Sequence, residues 1–230
     1  MKTHIIVTGA SRGIGAAIVS AFDPAQVNIV AYSSKDGDLA DPATPGSLWQ
    51  TGMDRLDGRV DVLINNAGVF EATPITSSDP EWIASWNRTM QINLTASADL
   101  CRRAVLHWLD RGSSGRIINI ASRAAYRGDS PAHWHYAASK AGMVAMTKTI
   151  ARGYAARKIY AFSICPGFTM TGMAEEYLES RGGEKLLADI PLGKVAEPEE
   201  VAAIAKFCAL DAPPSMTGAV LDINGASYVR

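Results

Sequence analysis

Tyr136 and Lys140 stand four residues apart in a stretch with helical patterning, which places them on one helix face. A phenol titrates near 10 and is a poor base at neutral pH (about 10 in model peptides). A neighbouring ammonium favours the phenolate and brings the group toward its working range. Ser122 follows a run that reads as a strand, where a hydroxyl can hold a substrate oxygen beside the phenol. Asn93, within Gln91-Ile92-Asn93-Leu94, can hold a water next to the ammonium and extend a proton path to solvent. Each residue alone is commonplace, since Tyr–Lys pairs at this spacing occur on many helices. As a set they describe proton transfer to and from an oxygen.

A second constellation lies at the other end of the chain. Thr8-Gly9-Ala10-Ser11-Arg12-Gly13-Ile14-Gly15 follows an apolar run and opens a helix. Three glycines permit a tight turn and close backbone approach. The helix N-terminus behind them offers unpaired N–H groups and a positive dipole end to a pyrophosphate. The spacing is G-x-x-x-G-x-G, which differs from the G-x-G-x-x-G of many dinucleotide folds.

The elements that must position these groups alternate. Strands are predicted at His4–Thr8, Val27–Tyr32, Val60–Ile64, Gly115–Ala121, Ile159–Cys165 and Ala219–Ile223. Helices are predicted at Gly13–Phe22, Pro80–Asp110, Tyr136–Arg157 and Pro198–Leu210. This order implies one doubly wound, Rossmann-type parallel sheet with helices on both faces, in a single domain over residues 1–230. Asp36–Gly52 reads as a loop, because Gly37, Pro42, Pro45 and Gly46 crowd it. A parallel crossover needs a dozen or more residues, and no helix fits between Tyr32 and an extended piece at Asp38–Ala40. The sheet is therefore expected to be shortened after strand two, with Ser33–Gly52 ordering partly on cofactor contact.

Composition sets the limits. With 47% hydrophobic and 20% charged residues in 230, the chain is an ordinary globular one with a single sizeable core. A formal net charge of -1 argues against nucleic acid or an anionic membrane as partner. Cys101, Cys165 and Cys208 are odd in number and far apart, as suits reduced thiols in a cytoplasm. Gly9 arrives too early for a secretory signal, and no apolar run is long enough for a membrane span. His133 and His135 flank Trp134, but no third ligand stands nearby, so no metal is expected and the trio reads as a wall of the substrate pocket. Ser122 lacks the G-x-S-x-G elbow of a serine hydrolase.

Taken in order, the motifs resemble the short-chain dehydrogenase/reductase family. Residues 8–15 resemble its cofactor turn, and Asn65-Asn66-Ala67-Gly68 resembles its Asn-Asn-Ala-Gly segment. Asn93, Ser122 and Tyr136-Ala-Ala-Ser-Lys140 resemble its catalytic set, and Pro166-Gly167 with Thr171 its Pro-Gly-x-x-x-Thr. The likeness runs from residue 3 to about residue 225. It implies an NAD(P)(H)-dependent oxidoreductase that moves a hydride between the nicotinamide and a carbonyl or alcohol. Tyr136 is then the general acid/base, with Asn93, Ser122 and Lys140 completing the set. Cofactor contacts are implied for Gly9, Ser11, Arg12, Gly13, Ile14 and Gly15, for Asn65, Ala67 and Gly68, and for Tyr136 and Lys140. They are also implied for Pro166, Gly167, Thr169 and Thr171, and for Asp38 as an adenine contact. The gap from Ser122 to Tyr136 is one residue longer than the family pattern, so the loop between them should bulge.

Arg12, Ser33, Ser34 and Lys35, with no acid directly at the end of strand two, favour NADP(H) over NAD(H). Pro191-Leu192-Gly193-Lys194 and Thr217-Gly218-Ala219 before Asp222-Ile223-Asn224-Gly225 resemble 3-oxoacyl carrier-protein reductases. That points to a β-keto thioester substrate, against a small alcohol, sugar or steroid. A dinucleotide-sensing regulator without turnover is the reading of another class, and the intact four-residue set speaks against it. Met173–Leu187 reads as a helix of the kind that serves as a lid. A homotetramer or homodimer is expected by resemblance, with Ala96, Leu100, Ala104, Ala141, Ala145 and Met146 supplying apolar helix faces for pairing.

Overall fold

Short β-branched runs with both faces buried form the centre of the molecule. A computed structural model describes residues 2–171 and 187–230. Six parallel strands, β1 (Thr3–Thr8), β2 (Val27–Tyr32), β3 (Val62–Asn65), β4 (Gly115–Ile120), β5 (Ile159–Pro166) and β6 (Val220–Ile223), line up in the order β2-β1-β3-β4-β5-β6. Alternate residues face opposite layers. Ile6, Leu63, Ile117 and Ala161 join one apolar cluster, while Ile5, Val7, Ile64, Ile118 and Phe162 join the other.

Helices cover both faces. The first cluster takes α2 (Thr44–Arg55), α4 (Ala96–Arg111) and α6 (Trp134–Tyr154) through Leu48, Trp49, Leu100, Trp108 and Ile150. The second takes α1 (Gly13–Ala21) and α7 (Pro198–Leu210) through Ile18, Val201, Ala205 and Cys208. Two further helices, α3 (Asp79–Met90) and the one-turn α5 (Ala124–Arg127), stand by the carboxyl ends of the strands. Chain order reverses around β1: the crossover through α1 places β2 on one side, and the crossover through α2 places β3 on the other. Ligands bind at such a switch point, outside the carboxyl ends of the strands.

The crossover after β2 corrects the sequence reading. Asp38–Ala40 forms no strand, so β2 ends the sheet as expected, but a twelve-residue helix runs from Thr44 to Arg55 where a loop was predicted. Pro45 sits in its first turn, where proline is tolerated. Gly46 and Gly52 are packing glycines: a Cβ at Gly46 would lie 2.8 Å from Arg103 Nη2, and one at Gly52 would lie 2.7 Å from Ile6 Cδ1. Leu48 and Trp49 bury themselves beneath the helix. Ordering on cofactor contact can therefore involve only the residues before this anchored helix.

Pro80–Asp110 is helical throughout but not uniform, because Gln91–Thr95 widens into a π-helical turn between α3 and α4. Ala96, Leu100 and Ala104 are buried in the core of the single chain, so these three residues supply no pairing face. On α6, Ala145 faces solvent, while Ala141 and Met146 are half-buried. Cys101, Cys165 and Cys208 are free thiols in the core; burial pushes them up to about 12, about 11 and about 12. The expected helix at Met173–Leu187, with Tyr177 and Leu178, lies outside the described residues but for Leu187. Among the described residues no helix is long and apolar enough to cross a membrane.

Candidate active site

The glycine turn and the asparagine turn meet at the switch point. Gly9 adopts a left-handed φ of 67°, and a Cβ there would lie 2.7 Å from the Ala67 Cα. A Cβ at Gly15 would overlap the Gly9 carbonyl, so α1 packs directly onto the turn. Asn66 Nδ2 donates to the Gly9 carbonyl at 2.9 Å, and Thr8 Oγ1 accepts the N–H groups of Asn66 and Ala67, each at 3.2 Å. Neither Asn66 nor Thr8 was singled out from sequence as a site residue, though both lie within the quoted motifs. They tie two loops into one cradle.

That cradle fits a dinucleotide pyrophosphate. Ser11 and Arg12 are exposed beside it, and no acidic residue stands in the first turn of α1. Arg12 occupies the N-cap with extended backbone and makes no capping bond with its side chain, so the first amides of α1 remain open. Thr171 closes the other side, since a Cβ at Gly13 would touch its Cγ2 at 2.9 Å. Pro166 ends β5, Gly167 packs so closely that a Cβ would lie 2.9 Å from Asn224 Cα, and Thr169 bridges to Ala196. Residues distant in sequence thus converge around one cradle.

Asn65 faces elsewhere. Its Nδ2 donates to Asn119 Oδ1 at 2.9 Å and to Cys101 Sγ at 3.3 Å, and Asn119 in turn donates to Thr147 Oγ1 at 2.8 Å. This polar thread joins β3, β4 and α6 inside an apolar layer, so the Asn65 side chain holds the sheet. At the end of β2, Asp36 folds back so that its Oδ2 accepts Ser33 N–H at 2.8 Å and Ser33 Oγ–H at 3.0 Å. These bonds hold its carboxyl below the usual range. An acid therefore sits closer to the strand end than chain order suggested. Ser34 is exposed, and Asp38 accepts the Ala40 N–H at 2.9 Å with Arg88 4.0 Å away.

The four residues expected to be catalytic come together from three elements. Asn93, fully buried in the π-helical turn, accepts the Val69 N–H at 2.8 Å and donates to the Val69 carbonyl at 3.0 Å and to Ser139 Oγ at 3.2 Å. A π-helical turn inserts one residue and re-aims the side chains around it. Lys140 Nζ donates to the Ile120 carbonyl at 2.8 Å, fixing α6 to the end of β4, and lies 5.8 Å from the Tyr136 ring centroid. Ser122 acts on the Tyr136 phenol and favours its ionised form. Burial drives the two titrating groups in opposite senses: Tyr136 is raised to about 12, with Ser122 opposing, and Lys140 is lowered to about 8. Gly68 separates them from Asn93; a Cβ there would lie 3.2 Å from Asn93 Oδ1 and 3.4 Å from Lys140 Nζ.

Sequence reasoning passed over Phe70 and Ser139. The Phe70 ring meets Tyr136 edge-on with centroids 4.7 Å apart and stacks on His133 at 3.9 Å. Ser139 Oγ donates to the Tyr136 carbonyl at 2.8 Å while accepting from Asn93. The loop between Ser122 and Tyr136 runs through α5 and Gly128, whose φ is 76°. Among the described residues no cluster of His, Cys, Asp or Glu can hold a metal.

A family model described as enoyl-(acyl carrier protein) reductase matches residues 35–226. The chain is 34% identical to the 3beta-hydroxysteroid dehydrogenase 1 of Eggerthella lenta over 96% of its own length and 92% of the relative. It is 33% identical to an acetoacetyl-CoA reductase of Shinella zoogloeoides over 99% of each.

The chain is a short-chain dehydrogenase/reductase. It is an NAD(P)-dependent oxidoreductase. A 3-oxoacyl-[acyl-carrier-protein] reductase of Synechocystis is 33% identical over 96% of this chain and 94% of the relative. A solved structure titled ElxO with NADP bound shares the fold of this short-chain reductase, with a TM-score of 0.87, 22% identity and 99% of both chains covered.

Proposed function

We propose that this enzyme reduces a 3-oxo thioester, uses NADP(H) in preference to NAD(H), and protonates the nascent alkoxide from Tyr136. The observation that carries the reading is Lys140, buried with its Nζ 5.8 Å from the Tyr136 ring centroid, while Ser122 acts on the same phenol. A bound dinucleotide supplies the hydride. Everything else falls to the chain. Ser122 orients the carbonyl oxygen, and the phenol, held protonated by burial, delivers its proton to that oxygen. Lys140 as the ammonium stabilises the phenolate left behind. Asn93 and Lys140, whose Oδ1 and Nζ both approach Gly68, hold the water that carries the replacement proton.

The relatives named as acetoacetyl-CoA and 3-oxoacyl-carrier-protein reductases support the thioester class. The exposed Arg12 with Ser34 and Lys35 supports the 2′-phosphate, and Asp36, already engaged by Ser33, is its counterweight. A cytoplasmic homotetramer or homodimer is the accompanying assembly: three buried free thiols suit a reducing compartment, and Leu106 on α4 remains 43% exposed. Turnover of acetoacetyl-CoA with NADPH by the wild type, and loss of at least about a hundredfold in Tyr136→Phe with NADPH binding retained, is the expected result. Near-wild-type turnover by the variant sinks the assignment.

A further inference from the structure

His133 is the N-cap of α6, three residues before Tyr136. Phe70 fixes it there. The imidazole stacks on Phe70 with an interplanar angle of 5°, and the same ring meets Tyr136 edge-on at 77°. Asp129 ties the two residues together a second way: its carboxylate is 3.9 Å from His133 Nδ1 and acts on the Tyr136 phenol electrostatically. The loop after α5 therefore brings His133 to the wall beside Tyr136.

Ser130 Oγ lies 2.6 Å from His133 Nδ1, with either atom able to donate. In the tautomer with Ser130 donating, Nδ1 accepts and the ring proton stands on Nε2. No described residue takes that Nε2–H. His135 is the contrast: its Nδ1 accepts the Tyr136 N–H at 2.8 Å and its Nε2 lies between Thr73 Oγ1 and Ser85 Oγ at 3.1 and 3.2 Å. Burial lowers the pKa of His133, which keeps the ring neutral.

We infer that His133 is a specificity-determining residue whose Nε2–H binds a second substrate oxygen beside the carbonyl that Tyr136 protonates. The inference rests on the reading above, since a 3-oxo thioester carries two oxygens in a 1,3 relation. Ser122 and Tyr136 take the ketone and His133 takes the acyl oxygen. A monoketone uses only the first pair.

The test compares ethyl acetoacetate with 2-pentanone, which lacks the second oxygen, using the full chain and NADPH. In His133→Phe, which keeps the ring stack, the ratio of kcat/KM for the ketoester to that for the ketone falls about tenfold. In His133→Gln, which restores an N–H donor, the ratio recovers. An unchanged ratio in the Phe variant, or equal proportional loss on both ketones, overturns the inference and leaves the reductase reading standing. If His133→Phe does not fold, His133→Leu is read against the same pair and the same ratios. A wild type that reduces 2-pentanone and not the ketoester overturns the substrate class and the inference together. A wild type that reduces neither overturns the proposed function itself.

Discussion

The Asn93 carboxamide clasps Val69 by both backbone groups, accepting its N–H at 2.8 Å and donating to its carbonyl at 3.0 Å. The segment leaving β3 is thereby fixed with Gly68 against Lys140 and Phe70 against Tyr136. Asn93→Ala should cost about 1–3 kcal/mol, because it strips partners from groups in a largely buried site. A lower midpoint of chemical denaturation, with kcat falling further than NADPH affinity, is the expected pair of results. Unchanged stability would mean that the clasp contributes nothing to the fold.

Gly15→Ala should abolish dinucleotide binding while leaving the sheet intact. A methyl group there overlaps the Gly9 carbonyl, and Asn66 Nδ2 offers no retreat. Fluorescence titration with NADPH should show at least about a hundredfold weaker binding, since the turn and the helix N-terminus separate. Retained affinity would show that the pyrophosphate sits elsewhere.

Arg12→Ala should raise the KM for NADPH far more than that for NADH. Arg12 is exposed at the N-cap of α1, beside the cradle. Removing a charged partner of a phosphate costs about 2–3 kcal/mol, roughly 30- to 150-fold. Equal effects on both cofactors, or a wild type that prefers NADH, would assign the ribose site to Asp36.

Lys140 makes folding stability depend on pH in a definite direction. Unfolded, it holds its proton to about 10.5; folded, burial lowers it to about 8. Between those values the unfolded chain binds the extra proton, so this residue adds stability as pH climbs from 8 to 10.5 and withdraws it as pH falls back. Tyr136, raised from 10.0 to about 12, acts oppositely and only above pH 10. The stability of the wild type relative to Lys140→Met should therefore grow between pH 7 and 10. Melting temperatures across that range test it, and a flat difference would show Lys140 to titrate near its ordinary value.

How legible was the chain? The strands and the last helix were, because β-branched runs buried on both faces and the Glu197–Glu200 capping box announce themselves locally. The helix Thr44–Arg55 was hidden because its glycines serve packing against Arg103 and Ile6, partners remote in sequence. Ala96, Leu100 and Ala104 looked like a pairing face for the same reason: periodicity shows that a face is apolar, not what covers it. At the site, motif order located Ser122, Tyr136 and Lys140, but which way Asn65 points, or that Phe70 bridges His133 and Tyr136, depends on the loops folding back. Asp36 returning to Ser33 is a turn too local for periodicity to register.

The three cysteines give the molecule a built-in gauge of its own opening. Each thiol sits in the core, raised above its free value, so alkylating reagents find neither access nor thiolate while the fold holds. Cys101 lies on α4, Cys165 in β5 and Cys208 on α7, three places that no single frayed end can uncover. Labelling in the native state then counts openings of separate parts of the sheet, and its slowest site reports the global one. An enzyme whose chemistry uses no sulfur can in this way be timed by sulfur, with no probe introduced.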